Sequence, residues 1–247
     1  RFWKINTRSL RVNSMNMSFL FSATPFILSG LGETLQIILL SLLFSLIAGG
    51  VVCLISLKVK HRRWQNIIFL YLSLTRSIPV IVLMYMVFYT LPYLLVAVFN
   101  MMGIHGVSAW KLKLPADVAA IASLVFVYSG YFSEFFRSAW FSVDSGQSEA
   151  ARTVNLPQFS SFRRIIFPQM MATNSPEFCN VIMDLIKDSA LASTIGVIDV
   201  VAKSNIISAR TFNYVGSYLI VYIVFVVLGL FFSNAIDLII KKTLAKY

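Results

Sequence analysis

The chain has 247 residues, of which 58% are hydrophobic and 13% charged, with 21 phenylalanines. That is too apolar for a soluble domain of this size, whose helices and outer faces must meet water, so the protein belongs in a membrane. The formal charge of +11, from 21 Lys and Arg against 10 Asp and Glu, does not point to nucleic acid. The basic residues sit in short segments between apolar runs, such as KVKHRR (residues 58–63) and KKTLAK (241–246), which is the positive-inside pattern with anionic lipid as the contact.

In chain order, residues 1–31 read as a tail and an interfacial segment. The chain opens on Arg, and Met15 and Met17 stand just before SFLFSATPFILSGLGETL, so residues 1–14 read as an upstream extension or a misplaced start. The apolar run 19–31 is interrupted by Pro25 and lacks a persuasive cleavage site, which argues against a cleaved signal and for an amphipathic segment lying at the outer interface. Five spans follow, over 34–57, 67–98, 116–141, 177–201 and 214–240, each long enough to cross roughly 30 Å of hydrocarbon. The second exceeds one straight crossing, so tilt, a kink at Pro79 or Pro92, or an early end is expected. The fourth carries Glu177, Asp184, Lys187, Asp188 and Asp199, and so must largely face protein or water.

Between spans three and four lies EAARTVNLPQFSSFRRIIFPQ (149–169), charged and twice interrupted by proline. Asp144 and Ser145 offer capping side chains ahead of it, and Glu149 meets the positive end of the helix dipole. A short helix starts there. Asn155 is the non-glycine residue best suited to the left-handed conformation that closes a helix, and Pro157 forbids continuation through Leu156. A second short amphipathic helix is expected over 158–167, with Phe159, Phe162 and Ile166 on one face, Arg163 and Arg164 on another, and Pro168 ending it. On these grounds alone the pair reads either as a loop resting on headgroups or as a docking knob.

Orientation follows from charge. With five spans, the segment 58–66, the quoted segment and the C-terminus share one side and hold ten basic residues, against four on the other side without the tail and eight with it. The C-terminus and the quoted segment are therefore placed in the cytoplasm and the N-terminus outside. No internal repeat, low-complexity tract or soluble second domain is found. Neither a GxxxxGK[ST] loop, an HExxH nor a Ser/His/Asp set occurs, since His61 and His105 lie in loops, so no catalytic residue is assigned. Cys53 and Cys179 suggest neither a disulfide framework nor a thiolate metal site, and no metal ligand is assigned.

The quoted segment resembles the EAA motif of permease subunits of ATP-binding-cassette importers, with Asn155 where that motif has Gly and Phe167 where Leu is usual. Further segments agree in order: GETLQIILLSLL (32–43) with the opening G-x-x-x-T-L, LSLTRSIPVIVLMYMVFY (72–89) with an R-G-T-P segment, YFSEFFRSAWFSVDSGQSEAAR with A-E-x-x-R-G…G-Q-x-E-A-A-R, and LIKDSALASTIGVIDV with L-K-D-T-S-L-A-S-x-I-G-V. Ser77-Ile78 replaces Gly-Thr, and Ser138 replaces Gly. The later segments resemble the polar amino acid uptake branch, the histidine/glutamine/arginine-type permeases. The resemblance implies an all-α membrane protein of about five transmembrane helices with the type I importer permease fold. Its transmembrane domain would span 32–247, with a cytoplasmic two-helix coupling loop at 142–174. It implies a second permease subunit, identical or related, two cytoplasmic ATPases that bind ATP and Mg, and an extracytoplasmic amino-acid-binding protein. This chain would hold no cofactor, perform no chemistry, and sit in the cytoplasmic (inner) membrane. Glu149, Ala150, Ala151, Arg152, Asn155 and Leu156 would seat on the ATPase.

For the substrate path the candidates are intramembrane charges. Glu134 and Arg137, three apart on one helix, read as a local pair or as part of the path. Arg76 reads as a snorkelling residue or as part of a gate. Lys187 and Asp188, mid-span, are the candidates for a zwitterion's carboxylate and ammonium. The rival reading is a self-powered secondary transporter or channel with Glu134, Asp184, Lys187 and Asp188 as a proton relay. The lack of inverted halves argues against it.

Overall fold

The computed structural model describes residues 17–244, so the expectations placed on residues 1–14 lie outside the described residues. In chain order the elements are α1 (Met17–Leu28), α2 (Leu31–Lys58), α3 (Arg62–Ser77), α4 (Val80–Tyr85), a π-helical turn (Met86–Thr90), α5 (Leu91–Met101), a 3-10 turn (Ala109–Leu112), α6 (Ala116–Phe141), α7 (Ser145–Thr153), α8 (Gln158–Ser161), a second π-helical turn (Phe162–Ile166), α9 (Phe167–Ser189), a 3-10 turn (Ala190–Ile195), α10 (Val200–Thr211) and α11 (Tyr214–Leu244). Among the described residues there is no strand. Four stretches are long and apolar enough to cross a membrane: α2, the rod Val80–Met101, α6 and α11. A fifth crossing is available if Gln158–Ile195 and α10, bent by 51° at their junction, form one broken span.

The expected first, third and fifth spans coincide with α2, α6 and α11. The second is broken at Pro79, one of the two prolines at which a kink was expected. Ile78, ahead of Pro79, is extended at φ −89° and ψ 124°, as the proline ring requires of its predecessor, so α3 ends and a new helix begins at Val80. The fourth stops before residue 201. Gly196, at φ 98°, closes the 3-10 turn in a left-handed conformation available to glycine at little cost. Asp199, read as an intramembrane charge, instead caps α10: its carboxylate accepts from Ala202 N at 2.7 Å. The tail segment also departs from expectation. Twelve residues rise about 18 Å, too short to cross. Ala23 and Ile27 are fully buried in the cluster that holds Val200, Ile220 and Val221, while the outer face carries Phe21, 79% exposed. α1 therefore carries large apolar side chains on both its inner and its outer face and is braced on α10 and α11, where an amphipathic helix was expected.

The core forms where α2, α6 and α9 meet, around Ile37, Ile38, Phe132, Phe135 and Leu185. Small residues bring the backbones together. A Cβ at Gly49 would stand 2.7 Å from the Phe132 Cβ and 2.8 Å from the Ser129 carbonyl oxygen, so α2 and α6 touch there through their main chains. At the α2 entrance the glycine in contact is Gly30, whose Cβ would lie 2.5 Å from the Asp199 carbonyl carbon, whereas nothing stands within 4 Å of one at Gly32. Thr34 Oγ1 accepts from Val200 N at 3.2 Å across the same junction.

Both π-helical turns precede a proline by the same spacing, Met86–Thr90 before Pro92 and Phe162–Ile166 before Pro168. In an α-helix each proline would strand the carbonyl four residues back and press its ring on it. Those carbonyls belong to Phe88 and Arg164, both inside the π-helical turns, and the wider turn relieves the clash. This overturns the expectation that Pro168 ends the second loop helix. The chain runs as one continuous helix from Gln158 to Ile195.

Candidate functional site

Two regions answer to the residues singled out from sequence. One is a cavity of about 380 Å³ between the α3–α4 break, α6 and α9. The proline that ends α3 opens its wall, since Ser77, Ile78 and Pro79 line it together with Arg76. Opposite stand Asp184, Lys187 and Asp188 in the last turns of α9, and Tyr128 and Tyr131 of α6. Lys187 Nζ lies 2.8 Å from Asp184 Oδ1, one turn back on the same helix. The buried Tyr128 donates its hydroxyl to Asp188 Oδ2 at 2.8 Å.

Arg76 Nη1 reaches Glu134 Oε2 at 3.6 Å, with both side chains about 40% exposed, while its Nε donates to the Leu72 carbonyl. The expected local pairing of Glu134 with Arg137 is replaced by this pair between α3 and α6. The structure therefore gathers Arg76, Lys187 and Asp188 around one space, with Glu134 beside them through Arg76. Tyr128 and Tyr131 were not singled out from sequence, and Asp184 was named there only for the rival proton relay. Tyr128 had one usable signal, a hydroxyl in mid-span that requires a partner. Among the described residues no group of three or more His, Cys, Asp or Glu is placed to hold a metal ion.

The second region is the loop 142–174. Asp144 caps α7 by accepting from Gly146 N at 2.6 Å. At the other end Asn155 takes φ 53°, Leu156 N donates to the Ala151 carbonyl and Asn155 N to the Arg152 carbonyl, both at 3.0 Å. That pair of bonds is a Schellman closure, built on asparagine instead of glycine. α7 folds back on α8 and the π-helical turn. Asn174 Nδ2 donates to Ser142 Oγ at 2.8 Å, tying the base of the loop together.

The six loop residues separate by exposure. Glu149, Ala150, Arg152 and Asn155 are exposed and Leu156 is intermediate, whereas Ala151 is 3% exposed. Ala151 therefore lets the two limbs of the loop close on each other and faces its own chain. The expected common face of Phe159, Phe162 and Ile166 is split. Phe159 is 74% exposed and Ile166 is buried, because the π-helical turn winds the second limb differently from an α-helix.

A family model for the binding-protein-dependent transport system inner membrane component matches residues 43–245. The probable amino-acid permease protein YxeN of Bacillus subtilis is 33% identical over 227 residues, covering 92% of this chain and 95% of that protein. The histidine/lysine/arginine/ornithine transport system permease protein HisQ of Salmonella typhimurium is 31% identical, covering 90% and 95%. Among solved structures, an amino acid ABC transporter with histidines superposes with a TM-score of 0.73 at 24% identity, covering 92% of this chain and 99% of that one. The MetNI methionine ABC transporter, in an inward-facing conformation, gives 0.66 at 16%, covering 93% and 99%.

Proposed function

The chain belongs to the binding-protein-dependent transport system inner membrane components, a family of membrane permeases, and from that premise we propose that it forms the translocation pathway for a polar amino acid in an ATP-driven importer. The observation that carries this reading is the cavity. Charged side chains are costly in a bilayer and mark a transport path where they face a shared space, and here Arg76, Asp184, Lys187 and Asp188 face one. Asp188, which accepts from an uncharged tyrosine hydroxyl, is suited to a substrate ammonium. Lys187 and Arg76 are suited to its carboxylate.

The loop 142–174 is the element that seats on a cytoplasmic ATPase, through Glu149, Ala150, Arg152 and the exposed Val154 and Phe159. The transmembrane domain extends over 32–247. Two such permeases, identical or related, would enclose a shared path. Two ATPases carrying ATP and Mg would drive it between outward and inward access, and an extracytoplasmic binding protein would deliver the substrate. The chain itself hydrolyses nothing. It resides in the cytoplasmic (inner) membrane with the N-terminus outside and the C-terminus in the cytoplasm.

A self-powered carrier is not favoured. Two of the carboxylates a proton relay would need, Glu134 and Asp184, stand in ion pairs with Arg76 and Lys187. The test is ATP-dependent uptake of labelled arginine, histidine and glutamine into proteoliposomes holding the complete complex. Lys187→Ala and Asp188→Ala are expected to cut uptake at least tenfold while leaving complex assembly unchanged. Normal uptake in both would remove the cavity from the path, and uptake driven by an ion gradient without ATPase would overturn the importer reading.

A further inference from the structure

A second cavity, on the opposite side of α6 from the charged one, is used by nothing in this mechanism. About 450 Å³ in volume, it is a groove between the C-terminal half of α2, the end of α6 and the start of α9. Its walls are Leu54, Leu57, Phe136, Trp140 and Met171, with the π-helical turn and the residue after it contributing Phe162 and Phe167. Within this lining Trp140 and Phe162 stack at 6.2 Å between ring centroids and 28° between planes. The polar part of the lining is slight, and its one charged member is Lys58, exposed at the last residue of α2.

We propose that this groove is a binding site for one acyl chain of an anionic phospholipid whose phosphate meets Lys58. Four observations select that occupant. The space is apolar and its volume of about 450 Å³ is on the order of 15 methylene-sized groups at roughly 30 Å³ each, comparable to the volume of one acyl chain. It opens where α2 ends, at the level where hydrocarbon gives way to headgroups. The cation at its mouth is followed at once by Lys60, Arg62 and Arg63, so the local field favours a negative headgroup over a zwitterionic one. The wall also contains Gly50, where a Cβ would meet only Phe136 Cε2 at 3.9 Å; the backbone there is not held close by packing, and the missing side chain leaves the slot open. The occupant touches Phe162 and Phe167, so the lipid lies against the base of the loop that follows α6.

The experiment is native mass spectrometry of the whole transporter complex, extracted from nanodiscs containing equal parts of phosphatidylglycerol and phosphatidylcholine. Wild type is expected to retain one phosphatidylglycerol per permease more tightly than any phosphatidylcholine. Gly50→Leu, which fills the slot, and Lys58→Glu, which reverses its mouth, should each lower that retention at least fivefold. Lys58→Arg should restore it. Lys58 is exposed, so its variants decide the matter even if Gly50→Leu hinders assembly. Retention unchanged in Lys58→Glu, or equal retention of both lipids by wild type, overturns the proposal. So does efficient disulfide linkage of two permeases through Leu54→Cys, since the groove would then be a seam between subunits.

Discussion

At the scale of single residues, the chemistry of the cavity turns on how Asp188 is held. A hydrogen bond to a charged group contributes about 1.5–3 kcal/mol, so Tyr128→Phe, which keeps the buried ring and removes the donor, should raise the KM for uptake on the order of tenfold. Maximal rate and complex assembly should stay near wild type. A loss of assembled complex with unchanged KM would make Tyr128 a packing residue only. The Arg76–Glu134 pair is different. At 3.6 Å and about 40% exposure it should contribute no more than about 1 kcal/mol, so a double-mutant cycle of Arg76→Gln and Glu134→Gln on thermal stability should show coupling within that range. Coupling of several kcal/mol would mean the pair is far drier than its exposure indicates. Asp144 and Asn155 were legible from sequence because a cap and a left-handed closure depend on neighbours in the chain. The Arg76–Glu134 pair was not, because it joins residues 58 positions apart, and helical spacing pointed to Arg137 instead.

At the scale of elements, the loop can be dissected. Asn155→Gly should leave α7 intact or slightly steadier, while Asn155→Val should cost about 1–2 kcal/mol, the penalty for a left-handed residue with a branched side chain. Amide hydrogen exchange over 145–156 reads this directly, and equal protection in both variants would show that the Schellman closure does not hold the helix end. Ala150 and Ala151 separate two roles. Ala150→Asp, on the exposed side, should reduce ATPase copurification with exchange in the loop unchanged. Ala151→Asp forces an unpartnered carboxylate between the limbs at a cost of roughly 2 kcal/mol or more, and should loosen the loop itself. If Ala150→Asp keeps full association and full substrate-stimulated hydrolysis, the loop rests on headgroups and docks nothing. Four of the seven prolines lie within continuous helices, although sequence rules treat proline as a stop. Pro25 and Pro176 lie inside helices, Pro92 and Pro168 sit just past π-helical turns, and only a structure shows the wider turn that admits them.

At the scale of the molecule, composition and run length were enough for the class and for most of the crossings. Where the backbones touch was not legible, since Gly49 and Gly50 are adjacent in sequence and only the first lies against another main chain. Gly49→Leu should therefore prevent α2 from docking on α6 and abolish stable accumulation in the membrane, while Gly50→Leu accumulates normally. Equal accumulation would refute that packing. The proposed orientation predicts that Gln147→Cys and Lys242→Cys are labelled from the same side of sealed vesicles; labelling from opposite sides would break the five-span count. One last feature ties the two regions together. The helix from Gln158 to Ile195 carries the loop proposed to dock at one end and Asp184, Lys187 and Asp188 near the other, with about 27 Å of rise between Ile166 and Asp184. It is a shaft, and the π-helical turn sets the angular phase between what grips it and what it turns. Each residue added to or removed from that turn would rotate the far end by about 100°, swinging Asp188 away from Tyr128 without touching a residue in the cavity. Transporters of this build can thus be retuned, or broken, by the length of a turn that contacts no substrate.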